Sequence, residues 1–505
     1  MSFRFTQVLR IAALIEQDLD VNRFVSGGVH LWPAARFLLI GKIMNNVLSE
    51  EERPPEFRML DRVIDARWDE QMGAQEPPDR PHETFMMPSR SVRAAHNGLL
   101  LFSRFEDHTV QTARGRFNPL LDPWHATAAP HWPVIKTEFE GAGFDKSQPR
   151  VVPTIAWPRV PAVGFDAALL QTAGALAADI AAWLERELRM PLPAFVEEFQ
   201  QHVHALWMEK QALVAHLQRH APGLVLTTCC YFRPTMSIVW AARELGIPVA
   251  DIQHGGNGPA HMGYTHWRHV PAGGYALLPD YYFVWDTISA NNVVRWMPEG
   301  TDVHQPVITG RFDLDVTRDA VLGAGNNTPL SLAAFGSAQV ILVTLQWHKS
   351  LLISPVMLEA MRRAPADWTW LIRSHPMTVG WNMEGMGPPA IEALLRDNGI
   401  TRFECRLATG LPMGAVLPVA THHLTGFSGT VQEAAAYGLR TTFTHSAARQ
   451  AFGRYFTAGA AELAETADDI LASIAKGRID PAAAKVTYMP RDPALPVSVL
   501  KNLLG

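Results

Sequence analysis

The feature that most restricts how this chain can fold is an alternation of short apolar runs with helical patterns, arranged in two series. In the first, residues 224–228 are a continuous apolar and β-branched strand. Residues 234–245 read as a helix, with Pro234 in its first turn and Gly246 just past its end. Residues 249–253 and 281–285 are further strands, Asp286 can cap the helix that follows, and 307–309 is a short strand ending in Gly310. The second series runs strand 340–345, helix 355–363, strand 368–373 and helix 390–398, stopped by Gly399. It continues through strand 423–425, helix 431–437, strand 441–444 and helix 467–475. Strands separated by helices form parallel sheets covered on both faces. Two such series, with a gap at roughly 311–338, predict an α/β protein of two facing doubly wound domains.

Upstream, residues 195–217 carry the helical period, whereas 1–150 mix short helical patterns such as 57–68 with loop-rich stretches. The chain therefore divides into an N-terminal domain with a long extension (1–320), a C-terminal domain (321–485) and a tail (486–505) that can return to the N-domain. A length of 505 residues fits this, because single cores stop growing beyond ~250–300 residues.

Composition removes other classes. The net charge is −5 and basic runs are missing, which argues against nucleic acid as a partner. Cys229, Cys230 and Cys405 lack metal-ligand spacing, so no metal site and no disulfide framework is expected. The apolar stretch at 11–15 is too short for a signal peptide, and 167–184 is interrupted by Gln171, Thr172 and Asp179. The expectation is a cytoplasmic protein, with room for peripheral contact at the inner face of the membrane.

In doubly wound sheets, ligands sit beyond the carboxyl ends of the strands. Four strand-end loops carry chemistry there. Gln253-His254-Gly255-Gly256 places an imidazole beside glycines that admit a close ligand approach. Gln346-Trp347-His348-Lys349 adds His348 and Lys349 as donor-loop candidates. Arg373-Ser374-His375-Pro376 supplies two groups suited to a phosphate, with Pro376 fixing the chain's exit. Gly426-Phe427-Ser428-Gly429-Thr430 opens a helix whose amides and dipole suit an anion, and Glu433 can accept from ribose hydroxyls. Each has a structural alternative: Ser428 and Thr430 as helix caps, Glu433 as a first-turn carboxylate, His422-His423 as buried strand.

Taken in order, Gln253-His254-Gly255, Arg373-Ser374-His375-Pro376 and Ser428-Gly429-Thr430 with Glu433 resemble the GT-B glycosyltransferases of bacterial surface-polysaccharide assembly. The likeness is to the Kdo-transferase and capsule-synthesis group, with the related CDP-glycerol polymerases and CMP-sialyltransferases. It spans roughly 220–460, and includes the Thr309-Gly310-Arg311 turn between domains. It implies an acceptor-binding N-domain and a donor-binding C-domain. The implied reaction is inverting, metal-independent transfer of Kdo or a nonulosonic acid from a CMP-activated donor. The acceptor would be a hydroxyl on a glycan, a lipid-linked glycan or a glycosylated protein, and no cofactor is needed beyond the donor. His375, Ser428 and Thr430 would hold the phosphate, and His254 would be the general base. The sialyltransferase Asp/Glu-Asp/Glu-Gly triplet is missing, which leaves Asp251 and Asp286 as fallback carboxylates. The alternatives are a CDP-polyol phosphotransferase, a non-catalytic binding protein, and a UDP-sugar 2-epimerase. The epimerase helix loop resembles Ser428-Gly429-Thr430-Val431-Gln432-Glu433-Ala434, but those enzymes are shorter and open with a strand and a Gly-x-Arg-Pro turn.

Overall fold

A run that ends only at Ser103 and Arg104, the strand Leu99–Arg104 (β1), lies inside the first sheet of this computed structural model, flanked by strands on both sides. The structure describes residues 2–48, 64–68, 79–88, 96–104, 107–139, 149–160, 164, 166–258, 261–297, 302–323, 336–346, 353–375, 387–479 and 489–505. In sequence order the sheet continues with β2 (Val134–Phe139), β3 (Ile155–Ala156), β4 (Leu224–Thr228), β5 (Val249–Ile252), β6 (Tyr281–Val284) and β7 (Gln305–Ile308). Its spatial order is β7-β6-β5-β4-β1-β2-β3, and every pairing is parallel. The order reverses between β1 and β4, so the crevice where ligands bind in such sheets opens there.

The second sheet comprises β8 (Gln339–Thr344), β9 (Trp368–Arg373), β10 (Phe403–Glu404), β11 (His422–Thr425), β12 (Thr441–Phe443) and β13 (Ala461–Leu463). It runs β10-β9-β8-β11-β12-β13, again wholly parallel, with its reversal between β8 and β11. The expected pair of doubly wound domains is therefore present. Part of what reads as an extension belongs to the first sheet, because β1 and β2 lie within residues 1–150. They escape the alternation because a hairpin and the short helix α3 (Asp122–Ala128), rather than a long amphipathic helix, separate them.

Two long helices lie upstream among the described residues. α1 (Ser2–Asp18) and α2 (Trp32–Leu48) share one apolar cluster with α4 (Ala167–Leu188) and α5 (Phe195–His220). By length and composition α4 is apolar enough to cross a membrane. Its stripe of Leu169, Ala173, Leu176, Ala177, Ile180, Trp183 and Leu184 is instead buried in that cluster. α6 (Arg233–Glu244) and α7 (Thr287–Val294) cover the sheet, and Asp286 caps α7 by accepting from the Ser289 amide at 2.7 Å. α8 (Asp313–Leu322) leads out of the first domain. In the second, α9 (Pro355–Arg363), α10 (Pro388–Asp397), α11 (Val431–Ala436) and α12 (Ala467–Ala475) flank the strands. The last helix, α13 (Ala494–Leu504), returns to the first domain. There Val499, Leu500 and Leu503 join Leu99, Leu101 and Trp124 in one cluster.

Candidate functional site

The two reversals open toward each other, and the loops beyond them meet. A Cβ on Gly429 would lie 3.2 Å from the Gly256 nitrogen and 3.3 Å from its Cα, so the β5 and β11 loops touch backbone to backbone. A side chain at Gly429 would require the Gly256 loop to give by a few tenths of an ångström. The structure thus brings His254, Gly255 and Gly256 together with Ser428, Gly429 and Thr430.

Two polar links accompany this contact. Arg311, following β7, donates to Glu433 Oε1 at 2.7 Å and to Asp313 at 2.9–3.2 Å, and its guanidinium carbon lies 3.9 Å from the Trp285 ring centre. Burial lowers the tendency of Arg311 to hold its proton, and Asp313 with Glu433 more than offsets this. The second link is Asp286, wholly buried, which accepts from Tyr455 at 2.9 Å and from Gln432 at 3.4 Å. Burial raises the Asp286 pKa against those hydrogen bonds. Its role as a fallback base therefore competes with a cap and two inter-domain bonds.

On the N-domain side, His254 Nε2 is 2.8 Å from the Tyr231 hydroxyl. Burial, and then the positive Arg104 nearby, lower its pKa to about 4, so the ring is neutral at physiological pH. Asp251 is fully buried. Its oxygens accept from the Cys230 amide at 3.0 Å and the Tyr264 hydroxyl at 2.6 Å, and burial pushes its pKa up to about 7. Asp251 thus holds the turn after β4 rather than facing the cleft. Gln253 is also structural in its contacts, accepting from the Trp285 amide and donating to the Gly255 carbonyl, both at 2.9 Å.

Four residues near His254 belong to no motif that the sequence displays. Arg104 ends β1, donates to Asp107 at 2.6 Å and to Cys229 Sγ at 3.6 Å, and lies over the Phe232 ring. Asp107 also receives the Thr228 hydroxyl at 3.4 Å. Tyr231 anchors His254, and His261 stacks on Tyr264 with ring centres 4.2 Å apart. Only Arg104 has a local signal: an apolar run closed by Ser103-Arg104, the pattern of a strand with polar residues at its carboxyl end.

On the C-domain side, Gln346 donates to the Phe427 carbonyl and so ties the loops after β8 and β11 across the reversal. Ser428 Oγ donates to Thr430 Oγ1 at 3.1 Å and accepts from the Thr430 amide at 3.2 Å, a local turn that presents both hydroxyls. Arg373 behaves differently from the expectation. Its guanidinium donates to the Ala408 and Leu411 carbonyls, closing the turn Arg406–Gly410 rather than reaching over the cleft. Burial lowers its pKa to about 10. His375 is half-buried, and burial lowers its pKa. His348, Lys349 and Pro376 lie outside the described residues. Among the described residues, no group of histidine, cysteine or carboxylate side chains is placed to hold a metal ion. His422 and His423 are buried strand residues bonded to Thr442, Thr441 and Thr344.

Among buried side-chain oxygens, Glu433 Oε2 has no hydrogen-bond partner within the protein, although its other oxygen is held by Arg311. Other buried side-chain oxygens share this condition, Asn257 Oδ1 and Gln432 Oε1 among them.

No protein-family model and no curated protein matches the chain. Solved structures of low identity do. The Staphylococcus aureus MnaA–UDP complex is 12% identical, covering 77% of this chain and 94% of that one with a TM-score of 0.41. The Neisseria meningitidis UDP-GlcNAc 2-epimerase bound to UDP-GlcNAc is 13% identical, with coverage of 80% and 99% and a TM-score of 0.44. The calicheamicin glycosyltransferase CalG4 is 13% identical, with coverage of 81% and 95% and a TM-score of 0.39. At these identities and TM-scores the likeness carries no conclusion about this chain.

Proposed function

We propose that the cleft between the two reversals binds a nucleotide-activated sugar and that the chain is an enzyme acting on it. The observation that carries this reading is Glu433. Its Oε1 is fixed by Arg311 while Oε2 is buried and unpaired, the arrangement a vicinal diol such as a ribose would complete. The Ser428 and Thr430 hydroxyls stand three to five residues before it, on the same turn, where the phosphates of that nucleotide would lie.

Of the candidate reactions, 2-epimerisation of a UDP-sugar fits best. In the sequence, a missing opening strand with an arginine turn speaks against it. What supports it is β1, a strand at the reversal that ends in Arg104, although Arg104 stands in Ser-Arg-Phe and not in a Gly-x-Arg-Pro turn. Transfer from a CMP-activated donor is the second reading, supported by His375 in the loop after β9. Both reactions ask for a base, and His254, neutral at physiological pH, is the group that would serve either.

Thermal shift with UDP, CMP, CDP and GDP separates these readings, since a ligand that binds only the folded state raises stability by mass action. UDP alone should stabilise. Stabilisation by CMP alone would overturn the epimerase reading, and no shift with any of the four would overturn nucleotide binding. NMR of the full chain with UDP-GlcNAc should then show the C2 epimer appearing. His254→Ala should lower turnover by a factor on the order of 10²–10⁴ while nucleotide affinity holds.

A further inference from the structure

Beside the contact between the β5 and β11 loops, the first and second domains line a cavity of about 260 Å³. It lies against α7 and the segment after β12, on the β6 and β12 side of the two sheets. Its size is just below the ~300 Å³ at which pockets for drug-sized ligands begin, which suits a ligand no larger than one sugar ring.

The lining has a definite chemistry. Asn257 and Gln432 are 2% and 3% exposed, and their carbonyl oxygens Asn257 Oδ1 and Gln432 Oε1 have no partner within the protein. Their amide nitrogens are used, Asn257 Nδ2 toward the Ser289 carbonyl at 3.2 Å and Gln432 Nε2 toward Ser289 Oγ at 3.2 Å, which fixes the free oxygens as acceptors. Phe452 and Tyr455 form an aromatic wall. Two cations, Arg295 of the first domain and Arg454 of the second, also line the cavity. Both pair with the same carboxylate, Asp79, with Arg295 at 3.1 Å from it. Asp79 belongs to neither sheet. It is carried on a segment that is tied down by Arg80, whose amide donates to Asn291 Oδ1 at 2.8 Å and whose carbonyl accepts from Asn291 Nδ2 at 3.0 Å.

A carboxylate held between two arginines that line the cavity, whose other lining includes buried acceptors without donors, is a half-complete ligand contact. We propose that this cavity is a second binding site, for a small carboxylate bearing hydroxyl or amide N–H donors, and that Asp79 occupies its anion position when the ligand is away. The ligand's carboxylate replaces Asp79 between Arg295 and Arg454, and its donors satisfy Asn257 Oδ1 and Gln432 Oε1. The cavity adjoins the nucleotide cleft at Gly256 and Gln432, and its occupancy does not depend on which reaction occurs there.

The test uses D-glucuronate as the probe and D-glucose as its neutral counterpart, titrated calorimetrically into the full chain. Asp79→Ala should bind glucuronate at least about tenfold more tightly than the unaltered protein, because the competing carboxylate is gone. Glucose should give no binding in either. In the Asp79→Ala background, Arg454→Ala should lose the gain, and thermal melts should confirm that both variants fold. Binding should persist in saturating UDP. Equal affinity with and without Asp79 would overturn the proposal, as would glucose binding as well as glucuronate, or retention of the gain after Arg454→Ala. Displacement of glucuronate by UDP would assign the contact to the nucleotide cleft instead, and leave the proposed function standing.

Discussion

The two sheets run their strands in the same order, yet the first ends its reversal in charged and aromatic side chains and the second in small hydroxyl residues and glycine. Around β1 and β4 stand Arg104, Asp107, Tyr231 and His254, interlocked by hydrogen bonds. Around β8 and β11 stand Ser428, Gly429 and Thr430, with Gln346 crossing between the loops. One topology thus supplies a rigid constellation of functional groups on one side and a backbone-lined cradle on the other. Function follows the loops rather than the fold. The domains are joined at the point where the two kinds of loop touch, through Gly256 with Gly429 and Arg311 with Glu433.

The largest effect expected is from breaking that joint. Arg311→Ala leaves the Asp313 and Glu433 carboxylates poorly compensated in a buried setting, and should cost about 3–5 kcal/mol in denaturant unfolding. A loss under about 1 kcal/mol would mean that the domains do not depend on this pair.

A core truncation in each sheet compares them directly. Leu101 and Leu342 are both fully buried on interior strands, so Leu101→Ala and Leu342→Ala should each cost about 2–5 kcal/mol. A negligible cost at Leu101 would contradict the placement of β1 in the core.

Acid should distinguish the sheets next. His422 and His423 in β11 have pKa values lowered to about 3 by burial, against an ordinary 6.5. The unfolded chain therefore binds protons at pH 5 that the folded one refuses, and stability falls as pH drops from 6.5 toward 3. Each contributes a loss of up to about 2 kcal/mol at pH 5. In the first sheet Asp251 works oppositely: its raised pKa, about 7, gives stability that is present below pH 4 and lost as pH rises toward 7. His423→Gln should flatten the acid loss seen between urea midpoints at pH 7.5 and pH 5. An unchanged pH dependence would refute the buried neutral state.

The smallest effect tests the cradle. Ser428→Ala removes one neutral hydrogen-bonding group and should weaken nucleotide binding about five- to tenfold, roughly 1 kcal/mol, with little change in unfolding. A large loss of stability instead would make Ser428 a cap rather than a ligand contact.

How far these differences can be read from the chain depends on the connections. The second domain is legible because most of its strands are followed by a helix with its own start and stop, such as Pro355 and Gly399. The first is legible only from β4 onward. Leu99–Arg104 is apolar enough to be a strand, but no helical period follows it, so pattern alone could not assign it to the inside of the sheet. With β1 unplaced, Arg104 and Asp107 could not be put beside His254. Arg373 shows the converse: its position at a strand end is correctly read, but its guanidinium turns to the Ala408 and Leu411 carbonyls, acceptors that lie 35 and 38 residues downstream.

What the sequence determined by itself is the class of fold and the loops that matter, because strand and helix periods and their terminating residues are local properties. What the tertiary structure decided is which groups those loops actually expose. Gly256 meets Gly429, Arg311 takes one oxygen of Glu433 and leaves the other, and Asp79 settles between arginines of two domains. Each of these is a contact between residues far apart along the chain, fixed by burial and by the pairing of charges, and no local pattern encodes it.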